Sequence, residues 1–146
     1  MRRSVERIKV RADLREVDRV LSLLRKALAR WRVDEEDGFK IELSLYEICV
    51  NIILYAYPER RGAVEVRFWT ETNRFHLEVR DRGVPFDPRS LAPPDIRENI
   101  RSRKKGGLGV YLVRTLMDGF SYKRDNGVNI LTVSKILRPR KSQASS

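Results

Sequence analysis

The segment Leu45–Tyr57, LYEICVNIILYAY, predicts a helix that lies in the interior of a folded domain. Together with the residues that follow the acidic run Asp34–Asp37, it is apolar on nearly every side, which is typical of a buried helix. One polar stripe crosses it at spacings of four, three and four residues, and consists of Lys40, Ser44, Glu47 and Asn51. Glu47 and Asn51 therefore lie one turn apart on the same face. Because unpaired burial of such groups costs kilocalories, they line either a wet cleft or a solvent-facing stripe.

An acidic residue also stands on the core side of a predicted strand. Residues Val64–Thr70 and Arg74–Arg80 alternate apolar and polar side chains, so we predict two strands joined by a short turn. The inward positions of the second strand are Phe75, Leu77 and Val79, and Asp81 is the next residue in phase. A carboxylate in this register is unusual. Gly83, two residues later, allows the backbone to approach a ligand closely.

A third signal is the glycine-rich start of a later helix. The sequence Gly106-Gly107-Leu108-Gly109 opens a predicted helix over Val110–Met117, and N–H groups at such a start favour phosphate. No Gly-Lys-Ser/Thr follows, so the element is not a P-loop. The preceding residues, about Val84–Gly106, predict a lid because they form a long loop with little regular structure. The lid ends in the basic run Arg101–Lys105, for which anion binding is the better interpretation at this position.

The composition predicts one cytoplasmic domain. The 146 residues, 41% of them hydrophobic, suffice for a single core, and we expect a domain over residues 1–138 with a disordered basic tail over 139–146. Cys49 is the single cysteine and is interpreted as a small buried hydrophobe. No signal peptide is visible, and the apolar stretch Ile48–Tyr57 is shorter than the roughly 20 residues of a membrane span. The net charge of +11 favours acidic or polyanionic partners, although no nucleic-acid-binding module is visible.

The remaining elements follow from periodicity and turn chemistry. A first strand is predicted within Ser4–Ala12, and Asp13 then caps a helix whose apolar seam runs from Leu14 to Trp31. Near the end of the sequence, Phe120–Arg124 and Val128–Ile136 predict two strands. They form a hairpin, because Asn-Gly at positions 126 and 127 is a strong turn signal.

The three elements, in this order, resemble the N, G1 and G2 boxes of the histidine-kinase-like (GHKL, or Bergerat-fold) ATPases. The flanking sequences LYEICVNIILYAY and KKGGLGVYLVRTLMDGFSY resemble those of the stand-alone anti-sigma-factor serine kinases of bacterial partner-switching systems. The resemblance covers roughly Asp13 to Lys135. It implies an α/β fold, a two-layer sandwich in which a mixed, mostly antiparallel sheet is covered on one face by helices.

The resemblance also implies roles for individual residues. Asn51 would coordinate Mg²⁺ through its amide oxygen, and Glu47 would be the general base. Asp81 would accept a hydrogen bond from the adenine amino group of ATP, and Gly83 would make room for the base. The other residues implied in nucleotide binding are Gly107, Leu108 and Gly109 for the phosphates, Thr132 for the adenine site, and Arg103 and Lys105 for phosphate charge.

The implied function is ATP-dependent phosphorylation of serine or threonine on a STAS-type anti-sigma-factor antagonist, with sequestration of a sigma factor or similar regulator. A homodimer is expected. The alternative is a non-catalytic module in which nucleotide sets the shape of a partner-binding surface, and retention of Glu47 favours the kinase. The fixed order of the three motifs argues against a nucleic-acid-binding protein in which the motifs occur by chance. A self-sufficient histidine kinase is excluded, because the single histidine, His76, lies in a predicted strand and no phospho-acceptor hairpin is present.

Overall fold

The computed structural model of the protein describes residues 5–57, 62–85 and 107–139. The predicted tail beyond residue 139 and nearly all of the predicted lid lie outside these residues, and so do Arg103 and Lys105. No helix in the described ranges is both long enough and apolar enough to cross a membrane.

Five strands form one sheet in the order β1-β2-β3-β5-β4. They are β1 (Glu6–Arg11), β2 (Ala63–Glu71), β3 (Arg74–Asp81), β4 (Gly119–Asp125) and β5 (Val128–Ile136). We expected a mixed sheet, but every strand pairing among the described residues is antiparallel. Alternate residues of β2 and β3 are buried on one face, as their sequence periodicity predicts.

Within the described residues, three α-helices accompany the sheet: α1 (Val17–Arg30), α2 (Glu35–Tyr55) and α3 (Gly107–Leu116). Asp13 caps a short 3-10 turn, Leu14–Glu16, so α1 begins later than predicted. Asp34 caps α2, because its side chain accepts hydrogen bonds from the N–H groups of Glu36 and Asp37. The core forms where apolar helix faces meet the inner face of the sheet, and it includes the fully buried rings of Phe68 and Phe75.

Helix α2 is less buried than its sequence predicts. One side contributes Ile41, Leu45, Ile48 and Ile52 to the core. Cys49 is buried with them, as predicted, and burial raises the pKa of its thiol to about 12. On the outer side, however, Phe39, Tyr46 and Leu54 are exposed. The reason is that α2 packs between α1 and α3, so its apolar circumference is covered on only part of its surface.

Two acidic side chains hold in place the helices that flank the cavity described below. Asp37, buried at the start of α2, accepts a hydrogen bond from the backbone N–H of Arg138 at 2.8 Å. Asp118, just after α3, accepts hydrogen bonds from the backbone N–H of Ile136 at 2.6 Å and from Nζ of Lys135 at 3.1 Å. Both helices are therefore tied to β5 or to the residues that follow it.

The predicted Asn126-Gly127 turn joins β4 and β5 and sets their register. Both residues have positive φ, 51° and 78° respectively, as this two-residue hairpin turn requires. The register pairs Arg124 with Asn129, and β5 in turn pairs Asn129 with Asp81 of β3. The turn therefore fixes which residue of β4 lies beside Asn129, the partner of the acidic residue of β3.

We expect Gly127→Ala to lower the free energy of unfolding by about 1 kcal/mol, because only glycine adopts this φ without strain. A Cβ at Gly127 would meet nothing within 4 Å, so the effect is conformational. The matched control is Gly38→Ala within α2, which we expect to raise stability by roughly 0.5–1 kcal/mol. Urea unfolding of both variants measures the difference, and equal effects of the same sign would contradict this account.

Candidate nucleotide site

A cavity of about 170 Å³ lies between α2, α3 and the inner face of the sheet. It brings together residues from all three sequence motifs: Glu47 and Asn51 of α2, Asp81 of β3, and Gly109 of α3. The rest of its wall is mainly apolar and includes Ile48, Ile52, Val110, Val113, Phe120 and Leu131. A mostly apolar cleft with a few convergent polar groups is typical of a small-molecule site.

The carboxylate of Asp81 is held at the edge of this cavity by two hydrogen bonds. Its Oδ1 accepts from the backbone N–H of Gly83 at 2.8 Å and from Nδ2 of Asn129 at 2.9 Å. No donor among the described residues contacts Oδ2, which is therefore available to a ligand. Burial raises the pKa of Asp81 above its ordinary value of 3.8, although the hydrogen bonds from Asn129 and Gly83 and the charge of Arg124 oppose this.

Asn129 is the central residue of a network that sequence reasoning missed. Its Nδ2 also donates to the carbonyl oxygen of Val84 at 2.9 Å. Its Oδ1 accepts from the hydroxyl of Tyr122 at 2.6 Å and from Nη1 of Arg124 at 2.9 Å. Asp81 and Asn129 pair across β3 and β5, two strands that no single turn connects, so no local sequence signal pointed to this residue.

The structure corrects the expectation for Thr132. Thr132 is paired with Glu78 across β3 and β5, and Glu78 alternates with the inward residues Leu77 and Val79. Side chains at directly paired positions share one face of a sheet, so Thr132 points away from the cavity. The residues of β5 that line the cavity are Asn129 and Leu131.

Glu47 and Gly109 belong to different motifs and lie in close contact. A Cβ atom built on Gly109 would lie 2.6 Å from Oε2 of Glu47, so only glycine leaves the carboxylate in its present position. Burial raises the pKa of Glu47 above its ordinary value of 4.5. The arrangement sets a carboxylate with raised basicity directly beside the first turn of α3.

Asn51 lines the same cavity one turn after Glu47, and its amide makes no hydrogen bond within the described part of the chain. The described residues contain no group of three or more His, Cys, Asp or Glu side chains that could hold a metal ion. Any metal ion at this position would therefore have the Asn51 amide oxygen as one candidate protein ligand. One such ligand suits Mg²⁺, which usually keeps waters and phosphate oxygens in its coordination shell.

Gly83 lies in close contact with the protein backbone at the end of α2. A Cβ at this position would lie 2.3 Å from the carbonyl oxygen of Ala56, which also accepts the N–H of Val84 at 2.9 Å. Gly83 is thus required where the end of β3 meets the end of α2. Gly107 and Leu108 are the first residues of α3, where backbone N–H groups have no partner within the helix and favour an anion.

The substitution Asp81→Asn tests how much burial of the Asp81 charge lowers the stability of the protein, independently of the function of that charge. The substitution keeps an oxygen that accepts from Gly83 and Asn129 but removes the charge. In the wild type the raised pKa means that the folded state binds the proton more tightly than the unfolded chain. Stability therefore falls as pH rises from about 4 through the folded-state pKa.

We expect Asp81→Asn to be more stable than the wild type at pH 7, by an amount on the order of 1 kcal/mol, and the advantage to disappear near pH 3.5. Urea unfolding at both pH values measures this, with the exposed Glu71→Gln as control. A variant less stable than wild type at pH 7 would show that hydrogen bonds to the carboxylate outweigh its burial.

A protein-family model and curated relatives both match this chain. The family model described as "Histidine kinase-like ATPase domain" matches residues 10–135. The serine-protein kinase RsbW of Bacillus thuringiensis (strain Al Hakam) is 36% identical over 109 residues, which cover 72% of this chain and 67% of that protein. The RsbW of Bacillus anthracis (strain A0248) matches with the same identity and coverage.

Among solved structures, the chain is similar to the crystal structure of the RsbU and RsbW domains of Rv1364c from Mycobacterium tuberculosis. The TM-score is 0.65 at 18% identity, and the match covers 95% of this chain and 34% of that chain. The present chain thus spans about a third of that structure, and the likeness shows a shared fold. The family model spans most of the sequence and the relatives are more than 30% identical, so this chain belongs to the histidine kinase-like ATPase family.

Proposed function

We propose that the chain is an ATP-dependent serine/threonine protein kinase that phosphorylates a STAS-type anti-sigma-factor antagonist and sequesters a sigma factor or similar regulator. One observation carries the proposal: a carboxylate, an unpartnered amide, a buried aspartate and a glycine-rich helix start converge on one cavity. The relatives named serine-protein kinase support the reaction type. We propose that the protein acts as a homodimer in the cytoplasm.

The adenine ring would occupy the apolar end of the cavity near Asp81. Oδ2 of Asp81 is an acceptor and pairs with the donor amino group of adenine. Asn129 and Gly83 fix the carboxylate through Oδ1, so the free oxygen has a defined direction. The apolar side chains Ile52 and Leu131 supply contact area for a planar ring.

The phosphates would lie toward the start of α3, at the other end of the site. The N–H groups of the first turn of α3 and the helix dipole favour negative charge there. Asn51 would contribute its amide oxygen to Mg²⁺, and the ion would supply positive charge that stabilises the phosphates. We also propose that Arg103 and Lys105, which lie outside the described residues, screen the phosphate charge.

Glu47 would act on the acceptor hydroxyl. The serine oxygen forms a bond to the γ-phosphorus while the bond from that phosphorus to the β–γ bridging oxygen breaks, and ADP leaves. Glu47 takes the hydroxyl proton, for which a carboxylate of raised pKa is better suited than an ordinary one. The rest of the catalysis is positioning and charge stabilisation, as phosphoryl transfer requires.

We expect Glu47→Gln to bind ATP as the wild type does but to phosphorylate a co-encoded STAS protein about 10²–10⁴-fold more slowly, because the amide accepts no proton. A time course with radiolabelled ATP, with calorimetry in parallel, measures both quantities. In the wild type, the acidic limb of the rate–pH profile should lie above the ordinary pKa of a glutamate.

The matched control is Glu42→Gln, because Glu42 lies on the same helix and pairs with Arg25 of α1 instead of lining the cavity. It should retain wild-type turnover. If the wild type binds ATP but transfers no phosphate to any co-encoded STAS protein, the kinase proposal fails. The nucleotide-gated binding module then takes its place.

Asn51→Ala tests the metal ligand. We expect this variant to lose the gain in ATP affinity that Mg²⁺ provides, while its affinity for ATP in EDTA stays close to that of the wild type. Calorimetric titrations with and without Mg²⁺ measure the difference, and circular dichroism checks the fold. An unchanged magnesium dependence would remove Asn51 from the metal site.

A further inference from the structure

The outer face of α2 carries a line of apolar side chains, here called the α2 stripe, that is not needed for the core. Its members are spaced four, three, four and four residues apart and are Phe39, Leu43, Tyr46, Val50 and Leu54. Phe39 is 65% exposed, Tyr46 43% and Leu54 48%, while the other two are half-buried. A contiguous exposed apolar surface of this kind marks an interaction site.

The α2 stripe is continuous with the reactive end of the cavity. Tyr46 directly precedes Glu47, whose carboxylate lies against Gly109 of α3. Tyr111, two residues beyond Gly109 on α3, is itself 38% exposed. Exposed aromatic residues therefore occur on both helices within two positions of Glu47 and Gly109, the residues at which the two helices meet.

Charge around the α2 stripe favours a protein over a polyanion. The chain carries a net charge of +11, yet residues 35–55 contain five acidic residues and one lysine, a net charge of −4. Arg25 pairs with Glu42, and Arg138 lies 2.8 Å from Glu36, so these acidic groups are compensated by neighbouring elements. Among the described residues, helix α2 itself thus lacks the excess positive charge that binds nucleic acid.

We propose that the α2 stripe is the docking surface for the phosphoacceptor protein, which presents an amphipathic helix with apolar residues spaced three and four apart. This inference rests on the proposed kinase function. A general base must come within about 3 Å of the proton it accepts, so the acceptor protein has to rest on the surface around Glu47. The stripe spans 16 residues of helix, roughly 22 Å between its ends, which matches three to four apolar anchors of a partner helix.

The test is steady-state kinetics of Phe39→Gln and Tyr46→Gln with the STAS-domain protein that the wild type phosphorylates. We expect KM for the protein substrate to rise about tenfold in each, as when an aromatic hot-spot side chain is removed. The kcat and the affinity for ATP should stay unchanged. Tyr46→Phe should retain most of the wild-type KM, because it keeps the apolar ring.

The matched control is Ile136→Gln. Ile136 is 53% exposed and pairs with Arg74 at the end of β5, so its side chain lies on the sheet face opposite the helices. An unchanged KM in the two α2 variants overturns the docking inference while leaving the kinase intact, and so does an equal rise in the Ile136 control. If sedimentation shows that Phe39→Gln dissociates a dimer, the stripe is a contact between copies and the inference also fails. Absence of phosphate transfer by the wild type overturns the proposed function itself.

Discussion

The candidate site depends on a carboxylate that faces the core side of a sheet. Asp81 occupies a position that sequence periodicity reserves for an apolar residue, and burial of its charge is unfavourable. Asn129 offsets part of this cost with one amide hydrogen bond and is itself held by Tyr122 and Arg124. Three strands therefore contribute to the position of one oxygen atom. Such a network holds Oδ2 in a fixed direction, which a ligand-selecting group requires.

A second constraint couples the two helices that flank the cavity. The Glu47 carboxylate fills the space that a side chain at position 109 would need, so the glycine of one motif is explained by the acid of another. Polar contacts at Asp37 and Asp118 tie each helix to β5 or to the residues just after it. The base, the phosphate-facing helix start and the strand that carries Asn129 therefore form one connected unit.

Much of this arrangement was predictable from local patterns, and the failures have physical reasons. The strands β2 and β3, the Asn126-Gly127 turn and the convergence of Glu47, Asn51 and Asp81 follow from periodicity and motif order. Thr132 was misplaced because a one-residue difference in strand phase moves a side chain to the opposite face of the sheet. Asn129 was missed because its role depends on a pairing across two strands. Gly83 was interpreted as making room for a ligand. Its contact with Ala56 forms only in the folded chain, so the sequence does not reveal it.

Helix α2 shows why an apolar pattern alone does not determine burial. Ile41 and Leu45 face the core, Glu47 and Asn51 face the cavity, and Phe39 and Tyr46 face outward. A sequence periodicity reports which residues are apolar, but the number of elements that pack around a helix decides which of them lose contact with water. Here α1, α3 and the sheet cover three sides and leave the fourth open. Because exposure of aromatic rings confers no stability on the domain, their presence on that side is better explained by a partner that covers them next to the reactive carboxylate.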